Sequence, residues 1–291
     1  MDYRKTSYMI ISLLFVLAII LGVIISHIRK ADLRIAFLDV GQGDSILISQ
    51  GSNQILIDGG KDGKVLLEKI GRFMPFWDRS VEIVIATHPD HDHISGLIDV
   101  LRAYNVHSFL ETKAKSDSAT YKKLEEEIGG RNIEKIETAK GLKVLFPGSG
   151  ELEVLYPFGS IAKVDEKNSN ENSIVAKFRF GESSFLLTGD ITEEKEKELV
   201  ASGADLATEV LKVSHHGSKY STGDEFLSAT DAKSAVISVG KNNSYGHPSD
   251  EVLRKLSKHG VEIYRTDEIG DIFYKCEKFQ GKCMVANQSF L

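Results

Sequence analysis

Thr87-His88-Pro89-Asp90-His91-Asp92-His93-Ile94-Ser95-Gly96 places three histidines and two aspartates within six residues, directly after the apolar run 82–86 (EIVIA). That run reads as a buried strand, and a loop leaving a rigid strand is a favoured place to present reactive side chains. Two carboxylates this close repel each other unless a cation lies between them. Imidazole nitrogen and carboxylate oxygen bind zinc at about 2.0–2.2 Å and also suit manganese or iron. A solvated polar loop with capping aspartates is the plain alternative, and the strand before and the glycine after count against it.

Outward from this stretch the chain alternates short apolar runs with turn signals. Residues 35–40, 45–48, 54–57 and 82–86 read as strands, separated by the glycine-bearing turns 41–44, 51–53 and 58–60. Helical spacing marks 65–73 and 96–104, and 119–128 reads as a polar helix in which Lys122 and Lys123 face Glu126 and Glu127. A second half follows, with strands over 141–145, 152–156, 174–180, 184–187, 211–214 and 235–239 and helices over 193–202 and 250–259. The halves share an outline, which predicts one αββα sandwich: two mixed sheets face to face, with helices on both outer faces. The most polar loop, 162–172 (AKVDEKNSNEN), is expected to be the most mobile.

The first cluster resembles the His-x-His-x-Asp-His signature of the metallo-β-lactamase fold, with Asp90 in the second histidine's place. By position, the resemblance implies that His88 and Asp90 face one metal and that Asp92 and His93 face a second. His91 falls on a spacer position. Three further segments match in order: FLLTGD (185–190), whose Asp190 would bridge the metals; VSHHGS (213–218); and YGHP (245–248). Asp58, in IDGG (57–60), matches an acid that supports the site from behind, and Asp39 joins it as structural support. Within the fold, FLDVGQGDS (37–45), Asp90, the HHGS and YGHP motifs and Tyr264-Arg265-Thr266 are together similar to the hydrolase domain of ComEC-type competence proteins, which form the channel for transforming DNA. The similarity covers 33 to about 275. The chain departs from that family in lacking the many-helix channel, and it shows no third histidine for the first metal, since His107 follows a helix.

What the resemblance implies is a hydrolase with two divalent ions, zinc or manganese, cleaving phosphodiesters and taking DNA as partner. His215 and His247 would complete the second metal or touch substrate. Asp92 and His216 would be catalytic, His216 as general acid. Lys212, Lys219, Ser218 and Tyr245 are candidate substrate contacts, with Lys241 nearby; for the lysines a solvated surface is an equal reading. Backbone N–H groups of 41–45 offer either a phosphate cradle or a tight turn. A β-lactam or thioester hydrolase and a non-catalytic tethered binding module are the competing functions.

The remaining features set the chain's surroundings. It has 291 residues, 42% apolar and 27% charged, with a formal charge of −6, which excludes a disordered polymer and a multi-spanning membrane protein. The acidic balance argues against binding nucleic acid by bulk charge. Residues 9–26 (MIISLLFVLAIILGVIIS) carry no charge and are flanked by Arg4 and Lys5 before and by Arg29, Lys30 and Arg34 after. They read as a single-pass anchor within 1–30, ahead of a hydrolase domain over 33–291, because a cleaved signal would have a shorter apolar core and a small-residue site. Flanking charges nearly balance and leave orientation open. Cys276 and Cys283 flank a hairpin tip where a disulfide and two buried thiols both remain open; a disulfide would put the domain outside the cytoplasm. No protein partner is indicated.

Overall fold

A computed structural model describes residues 3–29, 32–146, 148, 150–159, 169–277 and 281–286. After helix α1 (Tyr3–Arg29) come strands β1 (Leu33–Phe37), β2 (Ile46–Gln50) and β3 (Asn53–Ile57), helix α2 (Gly63–Phe73), strand β4 (Ser80–Ile85), helix α3 (His91–Ala103), strand β5 (Asn105–Glu111), helix α4 (Ala119–Gly129) and strand β6 (Glu134–Glu137). The second half runs β7 (Lys143–Phe146), β8 (Gly150–Tyr156), β9 (Val175–Phe180), β10 (Ser183–Leu187), α5 (Glu193–Ala201), β11 (Val210–Lys212), α6 (Asp224–Thr230), β12 (Ser234–Ile237), α7 (Asp250–Lys258), β13 (Glu262–Arg265), the short α8 (Thr266–Ile269), β14 (Ile272–Glu277) and β15 (Lys282–Ala286).

These strands build two mixed sheets, one in the order β15-β14-β1-β2-β3-β4-β5-β6 and the other β13-β12-β11-β10-β9-β8-β7. Each half begins with antiparallel hairpins and ends with parallel strands. Parallel neighbours need crossover connections, and the helices that make them cover the outer faces. Three apolar layers result. Phe37, Phe178, Phe185 and Tyr274 fill the space between the sheets, with Phe185 and Tyr274 edge to face at 5.0 Å. Leu66, Leu97 and Leu124 seal the helices of the first half, and Leu199, Phe226 and Leu256 those of the second. This is the αββα sandwich that the strand and helix pattern predicts.

The parallel strands also position the site. β3, β4, β10 and β11 all end at one edge of the sandwich, where Asp58, His88, Asp190 and Ser214 follow within three residues of the last strand position. The opposite edge carries the turn 51–52, the loop 74–79 and the hairpin that joins β14 to β15.

Several elements differ from the sequence reading. α3 begins at His91, not at residue 96, so Asp92 and His93 sit in its first turn. Strands β5, β6 and β13 and helices α6 and α8 were not expected. Of the polar loop 162–172, residues 162–168 lie outside the described residues, and 169–172 form a 3-10 turn. Cys276 and Cys283 face each other in register on β14 and β15 and are disulfide-bonded, which excludes the free-thiol alternative.

Candidate metal centre

Asp58 leaves β3 with φ at +57°, a left-handed conformation that Asp and Asn tolerate best among side chains with a Cβ. That turn points its buried carboxylate across the end of β4. There it accepts hydrogen bonds from Thr87 N (2.8 Å) and Thr87 Oγ1 (2.7 Å) and is 2.8 Å from His93 Nδ1. Thr87 Oγ1 in turn lies 2.9 Å from His88 Nδ1. With its own hydrogen given to Asp58, that hydroxyl accepts from His88. Both imidazoles therefore carry their proton on Nδ1 and present Nε2 to the centre, as metal-binding histidines commonly do.

The second sheet supplies the facing groups. Asp190 follows β10 and is buried, its Oδ2 lying 3.2 Å from both His93 Nε2 and His216 Nε2. His216 reaches this position through a turn in which His215 and His216 both have positive φ (+49° and +54°). Its Nδ1 is 2.8 Å from Ser238 O, a carbonyl that can only accept, so this ring too presents Nε2. Asp92 Oδ2 stands 3.7 Å from that Nε2. Gly43, with φ +115°, brings the loop before β2 against the Asp92 backbone; a Cβ there would lie 1.9 Å from the Asp92 carbonyl oxygen. The next residue, Asp44, is thereby driven into the interior, where it pairs with the fully buried Lys212 and lies 3.4 Å from His216 Nδ1. Lys212 also donates to Gly189 O and stands 3.6 Å from Asp190 Oδ1.

The electrostatics follow from this crowding. Burial would push Asp190 up, but His216 and His93 outweigh it and hold the carboxyl well below its ordinary range. Burial would likewise lower His93 and His216, yet Asp190, with Asp58 beside the first and Asp44 beside the second, raises both well above 6.5. For His88 the balance goes the other way: burial, reinforced by His93, outweighs Asp190, Asp58 and Asp92 and lowers it to about 3. Asp90, half-buried, is raised by burial against a hydrogen bond from Ser169 Oγ.

These residues fit a divalent metal. The Nε2 atoms of His88, His93 and His216 and Asp190 Oδ1 are buried without a hydrogen-bond partner, a costly state for polar groups. Two groups, His88-His93-Asp190 and Asp92-His93-His216, each place three ligand atoms within 4.8 Å of one another, and Asp44-Asp190-His216 and Asp44-Asp58-His93 do the same behind them.

The structure therefore brings together His88, Asp92, His93 and Asp190, with Asp90 at the edge, 3.8 Å from His88 Nε2. Asp58 supports from behind. Asp39 accepts from Gly41 N (3.2 Å) and shapes the glycine loop. His91 turns to Thr120 Oγ1 (2.9 Å), and His107 is an exposed strand residue; neither joins the cluster.

The substrate contacts expected of Lys212 and Ser218 are corrected, and the candidate metal groups among the described residues include neither His215 nor His247. His216, not His215, enters the carboxylate cluster, because the left-handed turn rotates the second ring inward. His247 lies with His215, ring centroids 5.6 Å apart, and no ligand atom of either falls in the candidate groups among the described residues. Lys212 is neither a solvated lysine nor open to substrate, since its ammonium is consumed by Asp44 and Gly189. Ser218 is buried in the turn, where it accepts from Tyr220 N (3.3 Å), so it too is closed to substrate. Lys219 and Tyr245 are exposed, and Tyr245 stacks on His247 at 5.8 Å.

Sequence reading missed Asp44 and Glu196. Asp44 was visible only as part of a glycine turn; its spacing before a strand gives no sign of the buried lysine. Glu196, on α5, accepts from Ser214 Oγ (2.8 Å), Thr222 N (2.8 Å) and Gly223 N (2.9 Å), pinning both ends of the histidine loop.

Comparison with known proteins gives the same answer. ComE operon protein 3 of Bacillus subtilis (strain 168) is 32% identical over 261 residues, covering 84% of this chain and 33% of the relative. Competence protein ComA of Neisseria gonorrhoeae is 26% identical over 235 residues, covering 80% and 30%. The chain thus spans about a third of the length of these relatives. In structure it is similar to YhfI, a metallo-beta-lactamase fold protein from Bacillus subtilis, at a TM-score of 0.56 and 11% identity, covering 84% of this chain and 99% of that one. Residues 38–241 match the Metallo-beta-lactamase superfamily, and with the two sheets and their shared histidine-aspartate edge in place, the chain belongs to that superfamily.

Proposed function

We propose that the chain is a membrane-tethered, divalent-metal-dependent phosphodiesterase acting on DNA, with its hydrolase domain on the oxidising side of a cell membrane. The observation that carries the hydrolase reading is the set of three buried imidazole Nε2 atoms, each with its Nδ1 tied to a protein acceptor, converging on Asp190. The relatives named for competence support DNA as substrate.

Zinc or manganese held by His88, Asp92, His93, Asp190 and His216 would supply Lewis acidity toward a phosphoryl oxygen and a water activated near neutral pH. The chain's own residues do the rest. Asp58, Thr87 and the Ser238 carbonyl fix the tautomers of the three rings. Lys212 holds Asp44 and offsets the charge of Asp190. At the mouth, His215 is lowered by burial, and His247 is brought to about 4 by burial and then by His215. Both stay neutral at pH 7, and the Nδ1 of each lacks a partner, so they are placed to take a proton from the attacking water and pass it to the leaving oxygen. Lys219 and Lys241, exposed on the loops that carry these histidines, fit phosphate oxygens. Tyr245 offers an exposed ring face to a base.

Helix α1 contains a 19-residue span, Arg4–Gly22, apolar enough to cross a membrane, which supports the tether. The Cys276–Cys283 disulfide supports the oxidising side.

The test is cleavage of single- and double-stranded DNA by the purified full chain with manganese or zinc. Metal should copurify, and Asp92→Ala and Asp190→Ala should abolish cleavage. Absence of copurifying metal together with unchanged behaviour of Asp92→Ala would remove the enzyme class. Turnover of nitrocefin without DNA cleavage would transfer the activity to an amide substrate.

A further inference from the structure

The loop between α2 and β4 closes with a turn, Pro75-Phe76-Trp77-Asp78, in which Asp78 N donates to Pro75 O (2.9 Å). Turn tips ordinarily carry glycine, asparagine, aspartate or serine. This one carries Phe76, 81% exposed, and Trp77, 66% exposed, with their rings edge to face at 4.8 Å. The turn is braced. Asp78 Oδ1 accepts from Ser80 N (3.1 Å) and Ser80 Oγ (2.9 Å), and its Oδ2 accepts from Gln54 Nε2 (3.3 Å). Behind it Phe73 packs edge to face on Phe273 at 5.8 Å. The only acid of the turn thus faces inward, while the aromatic pair is held outward.

Its place in the fold gives the pair a partner. Arg34 pairs with Ser49, so the start of β1 lies beside the turn that joins β2 to β3. The parallel registers Ile55–Ile83 and Ser80–Asn105 put the loop before β4 at the same edge. Helix α1 ends at Arg29 and β1 begins at Leu33, so the chain between them reaches at most about 14 Å. The aromatic turn therefore shares the edge at which the chain leaves its apolar helix. Exposed Arg72, Arg79 and Lys282 lie at this edge too, along with Lys275, which is paired with Asp32; Arg72 is paired with Glu68.

We infer that Phe76 and Trp77 form a second membrane contact, inserting at the headgroup boundary of the bilayer that α1 crosses. The inference rests on the reading of α1 as an anchor. Phenylalanine and tryptophan favour this boundary, where arginine and lysine stems reach the phosphates. Two contacts fix what one tether leaves free: the sandwich stands on its lower edge, and the metal centre sits at the far strand ends, about 20 Å of strand away from the lipid.

Trp77 is the only tryptophan in the chain, so it reports on itself. The full chain is placed in phosphatidylcholine–phosphatidylglycerol nanodiscs with a tryptophan-free scaffold, whose two faces are both open to solvent. Expected results are blue-shifted Trp77 emission, strong quenching by lipid brominated near the top of the acyl chain, and loss of most iodide quenching. Phe76→Ser should restore iodide access while the chain stays in the disc. If the chain remains in the disc through size exclusion yet iodide quenches Trp77 as freely as a model tryptophan amide, the inference is overturned and the anchor stands. If the chain leaves the disc, both fall. Emission that is blue only when several copies share a disc, and insensitive to brominated lipid, would assign the turn to a second copy and overturn the inference.

Discussion

Asp58→Asn tests how the imidazoles are aimed. Asparagine keeps the shape, tolerates the +57° φ and can still accept from Thr87 N through one oxygen. Its amide nitrogen replaces Oδ2, the oxygen that serves both Thr87 Oγ1 and His93 Nδ1. A donor at that place forces His93 to give up its Nδ1 proton, moving hydrogen to Nε2, the atom turned toward Asp190. Loss of an orienting partner of this kind typically costs 10–100-fold in metal affinity, or about 1.4–2.7 kcal/mol. Without metal, removing one charge-assisted hydrogen bond should cost about 1.5–3 kcal/mol of stability. Calorimetric titration of zinc or manganese into the metal-free variant, with a denaturant melt beside it, reads both effects. A variant that binds metal as the parent does would show that Asp58 does not set the tautomer.

Glu196, raised by burial to about 7, is paid for at alkaline pH. Because its folded-state value lies above the ordinary 4.5, the Glu196 contribution to the parent's stability should be lost as pH rises from about 4.5 through 7. Glu196→Gln should lack that slope and cost about 1–3 kcal/mol at pH 5, where a donor now meets Gly223 N; parallel slopes in melts at several pH values would contradict this. Below about pH 4.5, where Glu196 no longer opposes it, the metal-free protein should be acid-labile: His88, depressed to about 3, gives stability that is present in full above 6.5 and lost as pH falls, and Asp190, held low, adds its loss below about 3.8. Melting temperature against pH checks this, and His88→Gln should flatten the upper part of the fall. Reducing Cys276–Cys283, which closes a short loop, should cost about 2–3 kcal/mol and raise the intact mass by two hydrogens.

The sandwich was legible because its buried strands are apolar runs bounded by glycine turns. The missed elements lack that contrast. β6 (EKIE) is largely exposed and β13 (EIYR) only half-buried, so neither shows an apolar face. The first turn of α3 escaped notice for a different reason. Its residues are histidines and an aspartate because the helix N-terminus points into the site, where the positive dipole favours the aspartate, and an apolar period cannot start there. Adjacent His215 and His216 are equivalent in sequence; only backbone handedness selects between them. Lys212 reads as a strand-end lysine until Asp44, brought in by Gly43 from far along the chain, is seen against it.

The division of the candidate ligands between the two sheets has a consequence for how the centre would come into being. His88, Asp92 and His93 belong to the first leaf of the fold, Asp190 and His216 to the second. Neither leaf owns a complete binding place, so a fragment ending after β6 should collapse into a plausible layer of strand and helix and still capture nothing tightly. Capture would have to await closure, and once made it would rivet the leaves together at the end remote from the disulfide-bonded hairpin.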